Sequence, residues 1–138
     1  MLEAPRPFIV FDTNVLVSGT LFPHSIPGQA LRIARATCTL LVSHATLEEL
    51  TDVISRDKFD RYLSIQERVE VVRQISLESN LIEVEASVRA CRDSRDDKFL
   101  SVAVSGAATL LVTGDHDLLV LHPFQSIAIL TPADFLKL

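Results

Sequence analysis

Basic residues are in short supply: 13 Lys and Arg stand against 18 Asp and Glu, for a net charge of −5. That balance argues against a protein that grips nucleic acid by bulk positive charge. It does not exclude one whose acids gather around metal ions. Glycine, at 4, and proline, at 6, leave little room for linkers. With 138 residues and 48% hydrophobic content, the chain reads as a single domain over residues 1–138 with one sizeable core, not as a disordered segment. The two cysteines, Cys38 and Cys91, lie apart without metal-type spacing. They read as reduced, buried thiols of a cytoplasmic protein, not as a disulfide. No apolar run reaches the length of a membrane span, and Met1 to Pro7 lacks the apolar region of a signal peptide. The expected location is therefore the cytoplasm, with no membrane partner. G-x-x-x-x-G-K-S/T, G-x-G-x-x-G and G-x-S-x-G are all missing, and His24, His44, His116 and His122 are too scattered for a zinc set.

What is present begins with F-I-V-F-D-T-N-V-L-V, Phe8 to Val17. Four apolar residues without alternation suit a strand buried on both faces, as in a parallel sheet. Asp12 falls at its carboxyl end, where open α/β sheets place their ligands. A short helix is expected over Val15 to Phe22, ending near Gly19, and another from about Pro27. Thr39 to Ser43 reads as a second strand, followed by a helix from His44 to about Ser55. Ser64-Ile-Gln-Glu67 is a capping box opening a helix whose Val69, Val72 and Ile75 are spaced for one buried face. Leu81 to Val84, Thr109 to Thr113 and Ser126 to Leu130 read as further strands. Arg89 to Asp97 reads as a polar, charged loop followed by a helix that carries Phe99 to Val104 and stops at Gly106, with further helices at Leu118 to Leu121 and Pro132 to Leu136. Short apolar strands joined through helices predict an α/β fold, a parallel sheet covered on both faces.

Against this map the acids fall at one edge. Asp12 ends the first strand, and Glu48 and Glu49 open the helix after the second. Asp93, Asp96 and Asp97 precede the helix reached from the third, and Asp115 and Asp117 follow the fourth. Each acid alone has a plain explanation as a helix cap or turn residue. Four junctions in register argue instead for converging carboxylates, which repel one another unless a hard divalent cation such as Mg²⁺ or Mn²⁺ sits among them. Helical spacing sets Asp96 on the stripe of Phe99, Leu100 and Ala103, and sets Asp97 with Ser101 on an expected solvent face. Spacing does not separate Glu48 from Glu49.

F-D-T-N-V-L, S-x-x-x-x-E-E-L, R-D-S-R-D-D-K-F-L-S-V-A and L-V-T-G-D-H-D-L-L together resemble the PIN domain in order and spacing. The chain is similar in particular to the small VapC-like PIN proteins that serve as toxins of toxin–antitoxin pairs. The resemblance implies a three-layer α/β/α fold with a five-stranded parallel sheet ordered 3-2-1-4-5. It implies Mg²⁺- or Mn²⁺-dependent endonuclease action on RNA, a cognate antitoxin partner and a homodimer. Its acidic set falls on Asp12, Glu49, Asp96 and Asp115 as catalytic residues and metal ligands, and it selects Glu49 over Glu48 because an apolar residue follows directly. Asn14, Asp93, Asp97 and Asp117 are accessory candidates. Arg56, Lys58, Arg61, Arg89, Arg92, Arg95 and Lys98 are candidates for gripping substrate. The competing reading is a non-catalytic, PIN-like nucleic-acid-binding or scaffold module.

Overall fold

The five strands that form are short, and every one of them is parallel to its neighbours. The structure, a computed structural model, describes residues 5–138. In chain order it comprises β1 (Phe8–Phe11), α1 (Thr13–Leu21), α2 (Ile26–Thr37), β2 (Thr39–Val42), α3 (His44–Ile54), α4 (Ile65–Glu78) and β3 (Asn80–Leu81). These are followed by α5 (Asp97–Ser105), β4 (Leu110–Val112), α6 (His116–Leu119), β5 (Ala128–Leu130) and α7 (Pro132–Leu136). The sheet order is β3-β2-β1-β4-β5. Ile9 pairs with Leu40 on one side and Leu110 on the other, and Leu111 pairs with Ile129. β1 and β4 are thus central neighbours, as the order 3-2-1-4-5 requires.

Alternation along β1 divides the core in two. Ile9 and Phe11 face the layer of α1 to α4 and α7, packing with Leu16, Leu31, Leu50 and Ile75. Val10 faces the opposite layer with Leu41, Leu100, Val102 and Leu111. Ile9, Leu100 and Leu111 are fully buried, each contributing about 1.5–3 kcal/mol of transfer free energy. No helix among the described residues is long and apolar enough to cross a membrane.

Several boundaries differ from the sequence reading, each for a local reason. α1 starts at Thr13 because Asp12 is its N-cap, and it runs through Gly19 to Leu21. A Cβ at Gly19 would lie 3.0 Å from the Pro27 carbonyl oxygen and 3.3 Å from the Leu31 side chain, so this glycine permits close α1–α2 packing and does not stop the helix. α2 begins one residue early, with Ser25 capping Gly28 N–H and Pro27 inside the first turn. β3 is confined to Asn80–Leu81 at the sheet edge, where both residues are exposed, and the chain then leaves the sheet. On α4 the Ser64–Glu67 capping box forms as expected. Its buried face, however, is Val71, Val72 and Ile75, and Val69 is exposed. β5 starts only at Ala128 because Gln125 and Ser126 adopt left-handed backbone angles, φ 46 and 70. α6 begins at His116, earlier than expected, because Asp115 caps it. Both cysteines are free, Cys38 buried but Cys91 only half-buried.

Candidate metal centre

Four strand ends deliver acids to one edge, but not to one point. Asp12 is buried at the end of β1. Its Oδ1 accepts the Val15 N–H at 2.8 Å, so it caps α1 as well as facing the edge. Its Oδ2 accepts the Thr113 hydroxyl, and Thr113 Oγ in turn accepts the Asp115 N–H at 2.9 Å. Burial pushes the Asp12 carboxyl above its usual range; the Thr113 and Val15 bonds oppose this, and the charge of Asp115 adds to it. Thr113 is fully buried and ties Asp12 to Asp115 across two neighbouring strands. Sequence reasoning missed it, because a threonine ending an apolar run reads only as a β-former. The one available signal is its place two residues before Asp115.

Asp115 is the N-cap of α6 and accepts the Asp117 N–H at 2.9 Å. Asp96 ends the short turn Ser94–Asp96 that leads into α5. Asp96, Asp115 and Asp117 each offer an oxygen atom, and the three atoms lie within 4.8 Å of one another; among the described residues they form the one such group. Asp117, read from sequence as an accessory, is a full member of it. Burial, then the charge of Asp115 and a hydrogen bond to it, push the Asp96 carboxyl up to about 7. Asp96 thus keeps its proton up to near neutral pH, as a carboxyl beside another carboxyl does when no cation separates them. A set of hard oxygen donors held together against their own repulsion fits a divalent ion such as Mg²⁺ or Mn²⁺.

This pair sets a pH dependence. In the unfolded chain Asp96 gives up its proton near 3.8, while the folded protein holds it to about 7. The folded state therefore binds more protons in between, and without metal this group's contribution to stability falls as pH rises from about 4 to about 7. Metal-free melts of the parent and Asp96→Asn should show the variant gaining on the parent between pH 5 and pH 8. A difference that does not change with pH would contradict the raised Asp96 carboxyl.

Glu49 stands apart from this group. Ser43 and Thr46 cap α3 reciprocally, which leaves Glu49 free of any capping role. Its Oε1 accepts Lys98 Nζ at 2.8 Å, and its Oε2 accepts the Thr13 hydroxyl. Glu48 is exposed. Asp93 is turned onto its own neighbour, the Arg95 guanidinium, which holds it down at about 2. Asn14 is exposed and lines a cleft of about 540 Å³ with Asp12 and Asp115.

Asp97 requires a correction. It is buried, not on a solvent face, and its Oδ1 accepts the Ala90 N–H at 3.0 Å and the Cys91 N–H at 2.8 Å. Ser101 is also buried and accepts the Val88 N–H at 2.9 Å. The segment over 84–91 covers this face of α5, which helical spacing alone does not reveal. Most of the candidate gripping cations are already partnered: Arg92 with Asp117, Arg95 with Asp93, Arg56 with Asp52 and Lys98 with Glu49.

The family model described as the PIN domain matches residues 8–117. The chain belongs to the PIN domain family. An uncharacterized protein of Methanocaldococcus jannaschii is 32% identical over 123 residues, 88% of this chain and 79% of its own length. Among solved structures, VapBC2 from Rickettsia felis bound to a DNA fragment from their promoter superposes with a TM-score of 0.59 at 15% identity, over 88% of this chain and 96% of that one. PAE2754 from Pyrobaculum aerophilum does so with a TM-score of 0.60 at 14% identity, over 96% and 88%. At these identities the two structures establish the fold. PIN domains are generally nucleases that use divalent metals, and the acidic edge of this PIN domain has the donor chemistry to hold one.

Proposed function

We propose that this PIN domain is a Mg²⁺- or Mn²⁺-dependent endoribonuclease and the toxin member of a toxin–antitoxin pair, acting in the cytoplasm. The observation that carries the reading is the meeting of Asp96, Asp115 and Asp117, with one oxygen of each within 4.8 Å of the others, where the PIN sheet delivers its acids. Asp12, Glu49, Asp96 and Asp115 form the acidic set of the reaction. Within it Asp96 and Asp115, joined by Asp117, would hold the ion. Asp12 fixes Asp115 through Thr113, and Asn14 lines the cleft beside them. When bound, the ion supplies a water acidic enough to attack a phosphodiester and offsets charge on the departing oxygen. The likeness to VapBC2 supports an antitoxin partner.

Exposed Ile65, Val69 and Leu77 give α4 apolar surface that a second copy would cover, which supports a homodimer. Light scattering should give twice the 15.3 kDa chain mass, and a monomer at micromolar concentration would end the dimer reading.

The purified protein should cut a mixed pool of single-stranded RNA in Mn²⁺ and fall to background in EDTA. Cleavage that EDTA leaves unchanged would contradict the metal role. No cleavage in either condition, with metal bound, would favour a non-catalytic binding or scaffold module.

A further inference from the structure

We infer that Lys98 supplies the second positive charge of this centre, so that the acids take one divalent ion and not two. The inference rests on the metal-dependent reading above. Lys98 lies two residues after Asp96, in the first turn of α5, and its Nζ is 2.8 Å from Glu49 Oε1. The two side chains are only 26% and 25% exposed. Thr13 takes the other oxygen of Glu49, so both oxygens of this carboxylate have partners, one of them charged.

The geometry divides the acids. Asp96, Asp115 and Asp117 present one oxygen each within a span of 4.8 Å, a set for a single ion, and Glu49 does not join them. Asp12 has both oxygens taken, by the Val15 N–H and the Thr113 hydroxyl, and Asp93 is paired with Arg95, so a second divalent ion would draw on Glu49. It would have to displace an ammonium whose stem is fixed in a helix, or sit beside that ammonium and the first ion with little negative charge left to offset it. The Arg92–Asp117 pair is a different case. Arg92 is 81% exposed, so solvent screens it and an incoming ion replaces it at small cost. Lys98 also lines, with Glu49 and Arg95, a cleft beside the acidic edge.

The test counts Mn²⁺ bound per full-length chain, from the electron paramagnetic resonance signal of the free ion, with circular dichroism to confirm folding. The parent should bind one. Lys98→Gln should bind two, because Glu49 is no longer neutralised, and Lys98→Arg should return the count to one. Glu49→Gln should leave it at one, which keeps the test open should Lys98→Gln fold poorly. Two ions in the parent, one in folded Lys98→Gln, or none in Glu49→Gln would each overturn the role of Lys98. A parent that binds none at millimolar Mn²⁺ would overturn the metal centre itself, so the two failures are distinguishable.

Discussion

Asp115→Asn is expected to abolish metal-dependent RNA cleavage while leaving the fold intact. Asp115 is the centre's crossing point: it lies in the group with Asp96 and Asp117, and its backbone N–H is tied through Thr113 to Asp12. An amide keeps the shape but gives up the negative charge a divalent ion needs. Loss of a residue that merely orients a metal ligand costs roughly 10–100-fold, so loss of a ligand should exceed ~100-fold in rate. The cap of α6 survives, because Asn serves as an N-cap about as well as Asp. Without metal the variant should be no less stable than the parent, and more so near pH 8, since one of two carboxyls that repel each other is gone. At an ion concentration of ~100 times its dissociation constant the parent should gain about 2.7 kcal/mol from Mn²⁺. The variant should gain almost none. Thermal melts with and without Mn²⁺, read beside cleavage of an RNA pool, check both halves. A variant that cuts at the parent's rate would show that the activity lies elsewhere.

Asp97→Ala should behave in the opposite way. One oxygen of Asp97 accepts the N–H groups of Ala90 and Cys91, and alanine leaves both without a partner. Partly buried donors left unpaired cost about 1–3 kcal/mol each, so a loss of roughly 2–6 kcal/mol is expected in urea denaturation. Asp97→Asn, which keeps an acceptor oxygen, should lose less. Burial pushes the Asp97 carboxyl up, but the Cys91 and Ala90 N–H groups outweigh it and hold the carboxyl below the usual range. Its contribution is therefore present above pH ~4 and fades as the pH falls below that value. Mn²⁺ affinity should survive in folded Asp97→Ala, because Asp97 is not in the acid group. An Asp97→Ala protein as stable as the parent, or one that loses Mn²⁺ binding while fully folded, would refute this division of labour between adjacent aspartates.

The contrast between Asp96 and Asp97 shows what local pattern can and cannot reveal. The apolar run ending at Asp12, the Ser64–Glu67 capping box and the alternation of strands with helices are local features, and the fold follows them. Asp12 was legible as a helix cap and as an acid delivered to the sheet edge; it is the N-cap of α1, and Thr113 ties it to Asp115. Helical spacing placed Asp96 toward the acidic edge but put Asp97 in solvent, because the segment that covers Asp97 arrives from outside the helix. Thr113 was illegible for the same reason: its role depends on β1 lying beside β4, a pairing across about a hundred residues of chain. The Glu49–Lys98 pair is likewise 49 residues apart, so no local pattern announces it. β3 at the sheet edge and Val69 on α4 departed from expectation because both are exposed, so burial does not enforce the apolar pattern there.

The central claim is that the edge of this sheet holds a divalent ion between Asp96 and Asp115, with Asp117 completing the set. Crystals soaked in Mn²⁺ and measured at the manganese absorption edge test it most directly. The expected result is one anomalous peak within coordination distance of carboxylate oxygens of both Asp96 and Asp115, absent from Asp115→Asn crystals treated in the same way. A parent structure with no peak there, or with manganese bound only at other surface acids, would contradict it.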